Sequence, residues 1–287
     1  MQQLHQRISG IALVLAVVAC AERATQYDGP LLRLATGGNV IGTFSTAVRD
    51  DHIAVAWFTT VGTDTAVFVS RSIDGGNSFS TEQRISPLGE RTMQHPKGAP
   101  RVELILDPDG FAQPFLAWTR AFADSSEVVW SSTLDGTTYS KPAVIPGGAG
   151  RGARTLLALE RDSTDRVVAT WSIAPAGTAT SPINVWRGST DGTIPAREFH
   201  LAVARFGSAP LAAQTSDGRR FRIWTDSGVA PHTVKMQQTA AAADTFGETI
   251  TLGAGSWPTI ATPSTGPVLI WISDRAGQRE INVIRLR

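Results

Sequence analysis

Ser72-Ile73-Asp74-Gly75-Gly76-Asn77-Ser78-Phe79 closes the alternating run Ala66–Arg71 (AVFVSR) and decides how the whole chain is read. Its pattern is S-x-D-x-G-x-[ST]-[FW]. The Asp74 carboxylate can accept backbone N–H groups across a tight turn, and Gly75 or Gly76 can supply the positive φ that such a turn needs. Phe79 can fold back as an apolar plug between the two strands that the turn joins. The stretch is therefore a hairpin turn between two strands.

Weaker copies recur downstream. Thr133-Leu134-Asp135-Gly136-Thr137-Thr138-Tyr139 is one residue short, Ser189-Thr190-Asp191-Gly192 keeps the head, and Asp244-Thr245-Phe246 keeps the tail. On Ser72, Asp74, Gly76 and Phe79, and on the eroded copy at Asp135 and Tyr139, the sequence resembles the Asp-box (BNR) repeat of the sialidase superfamily. That resemblance implies a β-propeller in which the box is a structural turn remote from the ligand face.

A second repeat lies upstream of each box. Five apolar runs end in Trp, at Trp57, Trp118, Trp171, Trp224 and Trp271, which are 61, 53, 53 and 47 residues apart. That is about the length of one four-stranded propeller blade. The five tryptophans are expected on second strands, buried between blades. Before each run comes a segment opening near Gly and often Pro, at Gly98, Gly152, Gly207 and Gly255, with Asn39–Val48 as the first; these read as innermost strands. The last unit, Ser256–Arg287, holds three strands. Pro30–Thr36 is a spare strand that would complete it and cover its edge. The expected fold is all-β: a propeller of four-stranded blades, five in number with six as the alternative, closed by the N-terminal strand. Sialidases that share the repeat have six blades, so a count of five departs from the family.

Composition agrees with a sheet protein. Of 287 residues, 27 are Gly and 18% are charged, with eight Trp. Net charge is +1, and without residues 1–19, which contain Arg7 alone, 25 basic residues face 25 acidic ones. Nucleic acid is not an expected partner. The N-terminus reads as an address: Arg7, then an apolar stretch Ile8–Ala19 too short to span a bilayer, which takes about 20 residues. Val17-Val18-Ala19-Cys20 resembles the lipobox of bacterial lipoproteins, with Cys20, the only cysteine, as the lipidated residue. The expected organisation is a signal peptide over 1–19, lipidated Cys20 and tether over 20–30, and the propeller over 31–287. The expected location is the bacterial cell envelope, at the outer membrane in a Gram-negative cell.

Strand order sorts the loops by face. Box turns and first-to-second turns share one face; loops leading into innermost strands, and loops after each Trp, share the other. On that second face the expected ligand contacts are His95, Arg101, Arg120, Arg154, His232 and Trp257, a set favouring an anionic or sugar-like ligand. The sialidase mechanism implied by the resemblance needs an arginine triad, a Tyr–Glu pair and an Asp acid/base. Here the two tyrosines, Tyr27 and Tyr139, fall in the tether and in a box, and the first-strand segment Gly38–Thr43 lacks arginine. A two-carboxylate glycosidase would draw on Asp226 and Asp274. Scattered histidines have no metal-ligand spacing, and no cofactor fingerprint is present. The first expectation is binding of a glycan or protein at the envelope without sialidase activity. The alternatives are a glycoside hydrolase, exo-sialidase-like or two-carboxylate, and an interaction scaffold.

Overall fold

The computed structural model describes residues 27–35, 39–92, 99–162, 164–174, 184–200, 211–214, 218–226, 231–240, 246–275 and 277–286. The leader, Cys20, His95 and the tail copy at Asp244 and Thr245 lie outside the described residues. Strand β1 (Tyr27–Arg33) takes in Tyr27, Asp28 and Gly29 ahead of the run beginning at Pro30. Four further groups of strands follow along the chain: β2 (Asn39–Arg49), β3 (His52–Val61), β4 (Asp64–Ser72) and β5 (Gln83–Arg84); then β6 (Arg101–Leu106), β7 (Ala112–Ala121), β8 (Ser125–Ser132) and β9 (Ala143–Arg151). The third group is β10 (Ala153–Arg161), β11 (Val167–Ala174), β12 (Asn184–Ser189) and β13 (Arg197–His200); the fourth is β14 (Leu211–Gln214), β15 (Arg220–Asp226), β16 (Thr233–Gln238) and β17 (Ile250–Ala254). The chain ends with β18 (Ser256–Ala261), β19 (Val268–Arg275) and β20 (Gln278–Leu286).

These strands form five four-stranded antiparallel sheets, and the fifth runs β1-β20-β19-β18. Leu32 pairs with Val283 and Arg33 with Asn282, so the first strand of the chain covers the edge of the last. One apolar cluster joins Phe44, Ile53, Val55 and Trp57 of the first sheet to Val268, Ile270, Ile281 and Val283 of the fifth. That cluster packs the last sheet against the first. The architecture is a five-bladed β-propeller.

Tryptophan placement repeats with the blades. Trp57 lies between blades five and one, Trp118 between one and two, Trp171 between two and three, and Trp271 between four and five, all buried. Trp224 departs from this expectation, being only partly buried. On β15 the neighbouring Phe221 and Ile223 pack into the core shared with blade five, leaving the alternate position of Trp224 for the opposite side.

The boxes form as their residue types dictate. Ser72 Oγ donates to Asp74 Oδ1 (2.7 Å) and accepts the buried Gly76 N–H (2.8 Å), while Asp74 accepts Ser78 N–H (3.0 Å) and Ser78 Oγ (2.6 Å). Gly76 sits at φ 87°, and a Cβ there would stand 2.7 Å from Val268 of the neighbouring blade. Phe79 packs on the core between blades five and one. In the second box Thr133 Oγ1 and the N–H groups of Thr137 and Thr138 bind Asp135, and Tyr139 packs against the core between blades one and two. The third box repeats the motif, with Ser189 Oγ and Thr193 N–H on Asp191.

The box turns and the first-to-second turns do share a face. Gly75 N–H donates to Asp51 O (2.9 Å), and Asp51 Oδ1 accepts Ser264 Oγ (2.6 Å) and Thr265 N–H (3.1 Å) from the matching turn of blade five. Near this end the innermost strands are locked by charge. Arg49 Nη1 reaches both Asp165 oxygens at 3.0 Å, and Arg161 binds Asp165 (2.8 Å) and Glu103 (3.1 Å). Blades one, two and three are thereby tied together by two cations and two anions. Burial works against the charged form of Asp165, yet the hydrogen bonds from Arg161 and Arg49 hold its carboxyl below the usual range.

Candidate functional site

The other face, where second strands end and innermost strands begin, carries the expected ligand contacts. It receives them in very different states. Trp257 stands at the head of the innermost strand β18, inside a bulge between Ser256 and Thr259, with φ 56° and 47% of its surface exposed. A bulky side chain in left-handed backbone is uncommon and strained. The bulge inserts the extra residue that turns the indole out of the sheet. Gly255 sets up the approach: a Cβ there would stand 2.3 Å from Ile272 O and 2.6 Å from the Trp271 ring.

Arg101 opens the innermost strand of blade two. It pairs across to Ala117, which packs toward blade three, so the Arg101 side chain shares that side. Desolvation pulls its pKa below the ordinary guanidinium value, and its Nε is buried with no hydrogen-bond partner. Among the described residues no carboxylate pairs with it. A cation removed from water without a partner is unfavourable unless something else completes it.

Arg154 has the opposite character. It is buried, and its guanidinium donates to Gly150 O (2.6 Å), Ala149 O (2.9 Å), Ser126 O (3.2 Å) and Arg151 O (3.3 Å). Contrary to the expectation of a ligand contact, this side chain is a strut that fastens β9 and β8 to β10. Arg120 is likewise engaged: Glu127 binds it at 2.6 Å, Glu90 at 3.6 Å, and its guanidinium lies over Phe122. Glu90 also accepts Trp118 Nε1–H at 2.6 Å. This Glu90–Arg120–Glu127 group was not legible as a unit, because Glu90 is 30 residues from Arg120 in sequence.

The two carboxylates considered for catalysis have different partners. Asp226 is ion-paired to Lys235 at 2.5 Å, and Asp274 is exposed and accepts Gly277 N–H at 3.2 Å. His232 is exposed, with its carbonyl accepting Gly255 N–H. Tyr139 lies in its box, where burial raises its pKa above the phenol value, which leaves it no role as a nucleophile on the ligand face. Among the described residues no group of three or more His, Cys, Asp or Glu is placed to hold a metal ion.

No protein-family model matches this chain, and no curated protein does. Solved structures do. The α-L-arabinanase of Penicillium chrysogenum, solved with arabinobiose, superposes with a TM-score of 0.52 over 90% of this chain and 99% of its own, at 11% identity. What the two share is the propeller. An endo-arabinase from Bacteroides thetaiotaomicron (TM-score 0.44, 12% identity, 89% and 95% covered) and an α-L-arabinofuranosidase from Podospora anserina in complex with cellotriose (0.45, 10%, 92% and 98%) are more distant. These are glycoside hydrolases other than sialidases, so the resemblance to the sialidase repeat rests on the box turns.

Proposed function

We propose that this protein is a carbohydrate-active propeller that seats a sugar at the axial mouth against Trp257, with Arg101 as the polar anchor. The strained, half-exposed indole at the head of an innermost strand carries the reading. Sugars present apolar C–H faces that stack on aromatic rings, and a desolvated guanidinium hydrogen-bonds ring hydroxyls or a carboxylate. The test is calorimetric titration with arabino-, xylo- and uronate oligosaccharides. Trp257→Ala and Arg101→Met should each weaken binding at least tenfold; unchanged affinity in both would remove the mouth from consideration.

Hydrolysis of a glycosidic bond is the second reading; the α-L-arabinanase, which shares the fold over 90% of this chain, supports it as an analogy of fold. It requires two carboxylates within about 5–9.5 Å. Glu90 and Glu127, which share the Arg120 guanidinium, are a candidate pair alongside Asp226 and Asp274. Release of reducing sugar that persists in Glu90→Gln and Asp274→Asn would reject both assignments.

The chain is further proposed to be an exported lipoprotein, with residues 1–19 as the leader and Cys20 as the acylated residue; the Val17–Cys20 lipobox supports this. Mass spectrometry of the protein extracted from membranes tests it, with Cys20→Ser expected to abolish the lipid adduct.

A further inference from the structure

We propose that the box face of the propeller lies against the lipid surface and that the axial mouth opens away from it. The inference rests on the lipoprotein reading for its anchor, and on the fold for everything else. Strand β1 enters the ring at the box face. Tyr27 pairs with Leu286 and Asp28 with Arg285, and the Arg285 guanidinium binds Asn77 of the first box and the carbonyl of Thr265 in the adjoining turn. The chain therefore leaves the fold, going backwards toward Cys20, beside the first box. The mouth is at the far end of the same strands: Trp257 follows Ser256, which pairs with Ile272 near the upper end of β19, whereas Val268 at its lower end pairs with Ala261.

Chain reach excludes the reverse orientation, mouth against lipid, for an anchored protein. Seven residue steps separate Cys20 from Tyr27, and even fully extended they span no more than about 25 Å. The eight residues of β19 already span about 23 Å from face to face. A tether starting at the box face would use nearly its whole length in climbing to the mouth, leaving nothing to pass round the rim of the ring.

Surface chemistry is compatible with that arrangement. Ile73 and Leu134, the second residues of the first two boxes, are 65% and 67% exposed, and Phe111 in the first-to-second turn of blade two is 60% exposed. The carboxylates of these two boxes, Asp74 and Asp135, are occupied by their own backbone N–H groups. The mouth face also has exposed rings, Phe122 and Trp257, so the tether, not apolar area, decides which face meets lipid. The consequence for function is that the ligand approaches from the aqueous side and does not come from headgroups of the anchoring leaflet.

With Cys20 acylated, an added cysteine would be the only free thiol. The full chain, expressed in bacteria and purified from membranes, is labelled with bimane at Ile73→Cys or Leu134→Cys on the box face, and at Leu88→Cys or Gln278→Cys on the mouth face. It is then reconstituted into phosphatidylcholine vesicles containing a spin-labelled quencher lipid. Quenching at the two box positions should exceed that at the two mouth positions at least threefold. Equal or reversed quenching in acylated protein overturns the orientation and leaves the anchor standing. Recovery of chain with an unacylated Cys20 overturns the anchor, and the orientation with it.

Discussion

Replacing Trp257 by glycine and by alanine isolates the backbone strain of the bulge. Both variants lose the same indole contacts. With 47% of the residue exposed, about half of a ~250 Å² side chain is covered, and its removal costs about 3 kcal/mol at ~25 cal/mol per Å². That term cancels when the two variants are compared with each other. What remains is backbone. At an ordinary strand position glycine is less stable than alanine by about 0.5–1 kcal/mol because it loses more freedom on folding. At φ 56° alanine keeps a left-handed strain of about 1–2 kcal/mol that glycine escapes. Trp257→Gly should therefore be the more stable of the two by about 1 kcal/mol, or roughly 2–4 °C in melting temperature for a domain of this size. Urea and thermal melts of the purified variants measure it directly. Alanine equal to or above glycine would refute the left-handed bulge, and with it the argument that strain holds this ring out for a ligand.

The two arginines at the heads of neighbouring innermost strands should respond differently to Met. Arg101→Met removes a desolvated cation with no pairing carboxylate and should leave stability unchanged or raise it, whereas Arg154→Met strips four carbonyls of their donor and should destabilise by about 2–3 kcal/mol in urea melts. In the first box, Ser72→Ala leaves the buried Gly76 N–H without its acceptor and should cost about 1–3 kcal/mol, against about 0.5 kcal/mol for the exposed Ser78→Ala. Acid should weaken the fold through the boxes. Asp191 is lowered to about 2 by Ser189 and Thr193, and Asp135 is lowered by the N–H groups of Thr138 and Thr137. Because these carboxyls bind protons less readily folded than unfolded, their contribution is complete above about pH 4–5 and is lost as pH falls toward 2. A melting temperature that stays flat from pH 5 to pH 2 would contradict this.

Much of the ring was legible without coordinates because its signals are local. A box is a turn whose donors and acceptors lie within seven residues, so Ser72, Asp74, Gly76 and Phe79 announce it together. The tryptophans recur at blade length, and each stands on a second strand. The spare strand at Pro30 had an evident vacancy to fill, and Leu32 does sit opposite Val283. Trp224 is only partly buried, and nothing near residue 224 could show it, because burial depends on what the neighbouring blade places opposite.

The ligand face was legible only as an inventory. Arg101, Arg120 and Arg154 are the same residue type at comparable strand ends, and nothing local separates them. Tertiary structure separated them by partners: backbone carbonyls from β8 and β9 claim Arg154, two glutamates claim Arg120, and Arg101 is desolvated with no pairing carboxylate among the described residues. Likewise the Arg49–Asp165–Arg161–Glu103 lock spans three blades, and its members are up to 116 residues apart. The chain by itself determined the strands, their turns and their order around the ring, since short-range hydrogen bonding and side-chain alternation decide those. Which charged side chains remain free to meet a ligand was decided only when the blades packed, because a charge is neutralised by whatever lies within a few ångströms of it in space.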